Sequence, residues 1–247
     1  MNDVVTYESR ENVAIITINR PDRLNAINPA VEEGLIAAWK RLNASDDRVG
    51  ILTGAGAKAF SAGKDMNSPE PPDYRSFTPG VGVIVDKPLI AAVGGWCIGG
   101  AVVLVQMCDL CVAADNARFI YPEATMGFAG GMIASIASRI PHKIAMELML
   151  LGEEISAERA YQVGFVNKLV PAGQHLIEAE IMARKLARNA PMVMAMLKRF
   201  TDSVLPKSPV EQAGYAWREN EAVFTSNDYA EGLAAFKEKR PPKFTGT

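Results

Sequence analysis

Short apolar runs with strand character alternate along this chain with segments of helical period, and glycines or prolines mark most of the changes. Residues 4–7 (VVTY) and 13–18 (VAIITI) are β-rich and flank a polar stretch, which predicts a hairpin. Asn28 before Pro29 predicts an N-cap and a first helical position, after which Val31, Leu35, Ala38, Trp39 and Leu42 share one helical face. Residues 48–53 form the next predicted strand, and Gly54, Gly56 and Gly63 punctuate the loop beyond it. A further strand is predicted over 89–93, and a buried helix over 101–107, with glycine pairs at 94–95 and 99–100 between them. Strands alternating with a helix indicate a mixed α/β core.

Further along, residues 144–151 predict an apolar helix closed by Gly152, Ser156 caps another, and residues 164–170 predict a final strand. From Gln174 onward the chain is helical in character, with breaks at Pro191 and between Pro206 and Pro209, and Asp228 and Glu231 have the spacing of a capping box. Residues 67–86 have no clear period and carry Pro69, Pro71, Pro72 and Pro79. Two readings stay open for them: a pocket lid or a disordered surface loop.

Residues 88–108 contain no charged side chain and are long enough to cross a bilayer. Pro88, four glycines, Gln106 and the lack of a basic flank argue against a span. The 247 residues are 49% hydrophobic, enough for a substantial core, and a net charge of −2 gives no reason to expect nucleic acid as a partner. Asp3 and Glu8 interrupt any apolar leader, so the cytoplasm is the expected compartment. Cys97, Cys108 and Cys111 form an odd set without a second Cys or His pair, which favours core packing over a disulfide framework or a metal site. His142 and His175 lie in different segments, offer no metal site and read as surface or cap residues.

The chemistry concentrates between residues 87 and 127. A strand feeding a helix through glycines leaves backbone N–H groups at the helix N-terminus, where they favour an anion or a developing oxyanion. Downstream, Tyr121-Pro122-Glu123 sets one carboxylate in apolar surroundings, a candidate general base.

These blocks, together with NRPDRLNAIN (19–28), GAGAKAFSAGKDM (54–66), KPLIAAVGGWCIGG (87–100), CDLCVAADNARFIYPEATMG (108–127), ISAERAYQVGFVNKLVP (155–171) and EGLAAFKEKRPPKFTG (231–246), resemble the enoyl-CoA hydratase/isomerase family, or crotonase superfamily, nearly end to end. The resemblance implies an α/β crotonase (ClpP/crotonase-like) fold, in which repeated ββα units form a spiral core over residues 1–188. A helical trimerisation region would follow over 189–247, giving a homotrimer or hexamer. It implies an acyl-CoA thioester as substrate, with coenzyme A as part of that substrate and no other cofactor. The backbone N–H groups of Lys64 and Gly100 would form the oxyanion hole. Arg23, Leu24, Asn25, Ala26, Ala62 and Asp65 would fall in the CoA-binding segments, and Val103, Phe128 and Met132 in the acyl pocket. Lys237, Lys239, Arg240 and Lys243 would either meet CoA phosphates or form a solvated face.

One departure bears on the reaction. Hydratases of this family carry a second glutamate in the helix after the glycines, and counting back from Glu123 places Val103 there. The loop after the Pro-Glu turn, residues 127–132, is also shorter than usual. Adding water asks for one group to hold water and another to relay a proton, whereas moving a double bond from 3-enoyl to 2-enoyl asks only one carboxylate to take a proton and return it. The expectation is therefore an isomerase with Glu123 as proton shuttle. A hydratase, hydratase-lyase or hydrolase using Glu123 alone stands as the alternative, and a non-catalytic CoA-binding protein as the alternative of another class.

Overall fold

The computed structural model describes residues 4–127 and 130–247. Strands β1 (Val5–Arg10) and β2 (Val13–Ile18) pair antiparallel, as the two β-rich runs predict. Helix α1 (Pro29–Ala44) follows, with the Asn28 side chain accepting from the Val31 N–H at 3.1 Å, and its five predicted core positions are all buried. Next come β3 (Val49–Gly54), β4 (Ala59–Ser61), α2 (Tyr74–Phe77), β5 (Leu89–Val93), β6 (Trp96–Ile98), α3 (Gly100–Gln106), β7 (Leu110–Ala114), β8 (Arg118–Ile120) and α4 (Glu123–Met126). A 3-10 segment, Met132–Ser138, leads to α5 (His142–Leu151), β9 (Ile155–Ser156), α6 (Ala157–Gln162) and β10 (Lys168–Val170). The chain ends in α7 (His175–Ala187), α8 (Pro191–Val204), α9 (Pro209–Phe224) and α10 (Asn227–Glu238).

Among the described residues the strands form two sheets, ordered β1-β2-β3-β5-β7-β10 and β4-β6-β8-β9. From β3 to β8 consecutive strands alternate between them. β3, β5 and β7 enter the larger sheet, and the strand after each, β4, β6 and β8, enters the smaller one before the chain turns helical. This is the repeated ββα spiral. From β2 onward the larger sheet is parallel and covered on both faces, which is why its strands read as nearly continuous apolar runs. One face, with Ile16, Ile18, Leu52 and Val93, packs toward α1 and α3. The other, with Ile15, Ile51, Ile90 and Val112, receives α7 through Ala179, Ala183 and Ala187, whose small side chains recur every four residues and let the helix approach closely.

The apolar stretch 88–108 is split among β5, β6 and α3, and no helix among the described residues is long and apolar enough to cross a membrane. Three local expectations need correction. The predicted strand over 164–170 is confined to β10, because residues 164–167 still turn out of α6, where Phe165 N–H donates to Ala160 C=O. The capping box is at Ser208 and Glu211, not at Asp228 and Glu231. Ser226 caps α10, while Asp228 accepts from the Thr245 and Gly246 N–H groups and Glu231 pairs with Arg240. Finally, residues 67–86 include the helical turn α2, seated on α1. Trp39 Nε1 donates to the Phe77 carbonyl at 2.9 Å, and Glu32 accepts from the Asp73 N–H and the Ser76 hydroxyl.

Trp39→Phe removes that donor from a buried carbonyl and leaves a void. It is expected to cost about 2–4 kcal/mol of stability in a urea titration, with α2 losing hydrogen-exchange protection beyond the global loss.

Candidate active site

Three adjacent parallel strands deliver the site. In the smaller sheet β6 lies between β4 and β8, and the chain leaves their C-terminal ends at Gly63-Lys64, Gly99-Gly100 and Tyr121-Pro122-Glu123. Ligands in open parallel sheets collect at such strand ends. The loops are in close contact. A side chain at Gly63, where φ is +74°, would put its Cβ 2.5 Å from the Ile98 carbonyl oxygen and 3.4 Å from the Gly100 nitrogen. Lys64 bridges to Ile27, through Ile27 N–H donating to Gly63 C=O at 2.7 Å and Asp65 N–H donating to Ile27 C=O at 2.8 Å. Gly100 is the first residue of α3, where an N–H has no acceptor within the helix. The structure therefore brings the Lys64 and Gly100 backbones to one place.

Glu123 opens α4 beside them. A Cβ on Gly99 would lie 2.8 Å from its Oε1. Glu123 is 8% exposed, and its Oε2 is buried without a partner among the described residues. Burial disfavours the charged form and pushes its pKa up to about 7, into the range where a carboxyl serves as an efficient base at neutral pH. These groups border a cavity of about 440 Å³, which Val103 and Met132 help to line, both nearly fully buried. Phe128, the third expected acyl-pocket residue, lies outside the described residues. The cavity's other carboxylate, Asp73, caps α2 and is paired with Arg75 at 2.9 Å. A second cavity, of about 460 Å³, lies between α3 and α8; its Asp109 is paired with Lys198 at 2.8 Å.

The residues expected near CoA occupy two kinds of position. Arg23 and Leu24 are exposed, and Ala62 lines the cavity. Asn25 and Asp65 instead organise the loops. Asn25 is fully buried, receives the Arg20 N–H and donates to the Ala55 and Ala59 carbonyls. Asp65 pairs with Arg20 at 2.9 Å, which with the Asn67 N–H holds its pKa down against burial. Arg240 forms a two-point pair with Glu231. Cys97 and Cys111 are buried and Cys108 half-buried, with burial raising all three thiols, and no metal-type cluster occurs among the described residues. His142 is exposed, but His175 is half-buried with its ring against Gly94.

Tyr74 is the site residue that sequence reasoning missed. It sits in the irregular 67–86 segment, where no period or motif marks it. Its ring lies so close to Gly100 that a Cβ there would be 2.1 Å from it.

The profile described as enoyl-CoA hydratase/isomerase matches residues 8–247. A probable enoyl-CoA hydratase of Mycobacterium bovis is 34% identical over 252 residues, covering 98% of each chain. A carnitinyl-CoA dehydratase of Salmonella arizonae is 36% identical over 94% of each. The crystal structure of an enoyl-CoA hydratase from Mycobacterium marinum superposes with a TM-score of 0.78 at 40% identity, with full coverage of both chains.

Because the folded-state pKa of Glu123 lies above its unfolded value of 4.5, the native protein binds the extra proton between these values, and the contribution of Glu123 to stability falls as pH rises from 4.5 to about 7. Glu123→Gln is expected to be more stable than the parent by about 1–3 kcal/mol above pH 7, with the difference vanishing near pH 4, measured by denaturation across pH.

Proposed function

Since this chain belongs to the enoyl-CoA hydratase/isomerase family, we propose that it stabilises the enolate of an acyl-CoA thioester and moves a double bond between the 3- and 2-positions, with Glu123 as the proton carrier. The observation that carries this reading is a cavity that Glu123 lines with an unpartnered Oε2 among the described residues, and that Val103 lines at the position where a second acid would be needed to handle water. The Glu123 carboxylate takes the α-proton and the C–H electron pair moves toward the thioester oxygen. The Lys64 and Gly100 N–H groups stabilise that oxygen, each contributing roughly 10²–10³ in rate. Glu123 then returns the proton at the γ-carbon. This sequence calls for neither a metal nor a redox group.

Hydration or dehydration through Glu123 is the second reading, favoured by the names of the relatives. Mass spectrometry of 2-enoyl and 3-enoyl thioesters in D₂O separates the two. The expected result is deuterium uptake with interconversion of the enoyl forms, reduced by about 10²–10⁴ in Glu123→Gln. Glu123-dependent gain or loss of water would instead select the second reading. kcat/KM is expected to rise with pH through about 7 as free Glu123 ionises, then level off.

We further infer that residues 189–247 carry the contacts of a homotrimer, alone or paired as a hexamer. Met192, Phe200 and Val204 on α8 and Trp217 on α9 are exposed apolar side chains that such contacts would cover. Light scattering after size exclusion is expected to give three or six copies; a monomer at micromolar concentration would overturn the inference.

A further inference from the structure

The hydroxyl of Tyr74 is buried and has no hydrogen-bond partner among the described residues. Buried donors are rarely left so, because the group gives up its water without replacement. The hydroxyl stands beside Gly100, one of the two proposed oxyanion donors: a Cβ on Gly100 would lie 2.2 Å from the phenol oxygen. Glu123 Oε2, at the same cavity, is also buried without a partner, so the two orphan groups are not bonded to each other. A ligand that satisfied both would offer an acceptor to Tyr74 and a removable proton to Glu123. The O=C–C–H unit of a thioester carries that pair of functions on adjacent carbons.

From this arrangement, and resting on the enolate reading above, we propose that Tyr74 is a catalytic residue whose hydroxyl donates to the thioester oxygen, as a third donor beside the Lys64 and Gly100 N–H groups. The phenol keeps its proton throughout. Burial, reinforced by Glu123 and Tyr121, raises its pKa far above neutrality, so it serves as a donor and not as a base. Its position is fixed before substrate arrives. The Asp73 side chain caps α2 through the Arg75 N–H, Trp39 holds the Phe77 carbonyl, and the Tyr74 ring packs on Phe77 at 4.9 Å between centroids. A donor held in place in this way needs no reorganisation as charge builds on the oxygen.

Tyr74→Phe keeps the ring and removes only the donor. The test compares this variant with the parent protein using butyryl-CoA labelled with ¹³C at the thioester carbonyl, following the infrared carbonyl band of the bound thioester and the exchange of its α-protons in D₂O. The parent is expected to shift the band to lower frequency, and Tyr74→Phe to lose part of that shift. The variant should slow α-exchange by about 10²-fold, with the Kd for butyryl-CoA within about threefold of the parent's. Its Tm should be equal or higher, since an unsatisfied buried hydroxyl is gone. A ring that only fills space would leave band and exchange unchanged on losing its hydroxyl, and that result would overturn the proposal. Band shifts that depend on Tyr74 in a protein without α-exchange would uphold the donor and reject the enolate reading. Glu123-dependent exchange that is indifferent to Tyr74→Phe would do the reverse.

Discussion

The close approach of three strand ends in the smaller sheet governs this molecule. β4, β6 and β8 are each three residues long, too short to be stable alone, and they hold their alignment because the preceding strands β3, β5 and β7 are locked in the larger sheet. Where they end, Gly63 lies against the Ile98 carbonyl and the Gly100 nitrogen with no room for a side chain. The backbones of Lys64 and Gly100 are therefore placed by sheet register and not by flexible side chains. Such placement suits stabilisation of a developing charge, which depends on donors that are already oriented.

The same crowding sets the properties of the carboxylate. Glu123 sits at the end of β8, facing Gly99, with Val103 and Met132 among the residues that keep the cavity apolar. Burial, working against a hydrogen bond from its own backbone, raises its pKa to about 7, and a base of that strength is half-ionised at neutral pH. Had Val103 been an acid, the two carboxyls would have shared one cavity and shifted each other. Here the cavity's other carboxylate, Asp73, is held by Arg75, and Glu123 titrates without a second acid beside it.

Around this centre the polar network has two layers. Asn25, Arg20 and Asp65 bind the 20–27 and 55–65 loops to each other, which orients the chain on either side of Lys64. On the opposite side Glu32, Trp39 and Asp73 seat α2 and carry Tyr74 into the cavity wall. A segment rich in proline and without periodicity is thus held by side chains of α1.

Residues that act through local pattern were legible in the sequence. The α1 core face, the Asn28 cap, the hairpin, β3, β5 and the Gly152 end of α5 follow from period and capping chemistry, which depend on neighbours in the chain. The spiral, together with Lys64, Gly100 and Glu123 as a group, was legible only through family resemblance, since the glycines and the Pro-Glu turn are each common by themselves. What the tertiary structure alone decided was contact between distant segments. Strands of three residues carry too little pattern to be read, the true capping box at Ser208 differs from the one at Asp228 by what surrounds each, and nothing near Tyr74 in the chain indicates that its hydroxyl meets Gly100. Sequence periodicity reports which face of an element is buried; it does not report which distant backbone that face will touch.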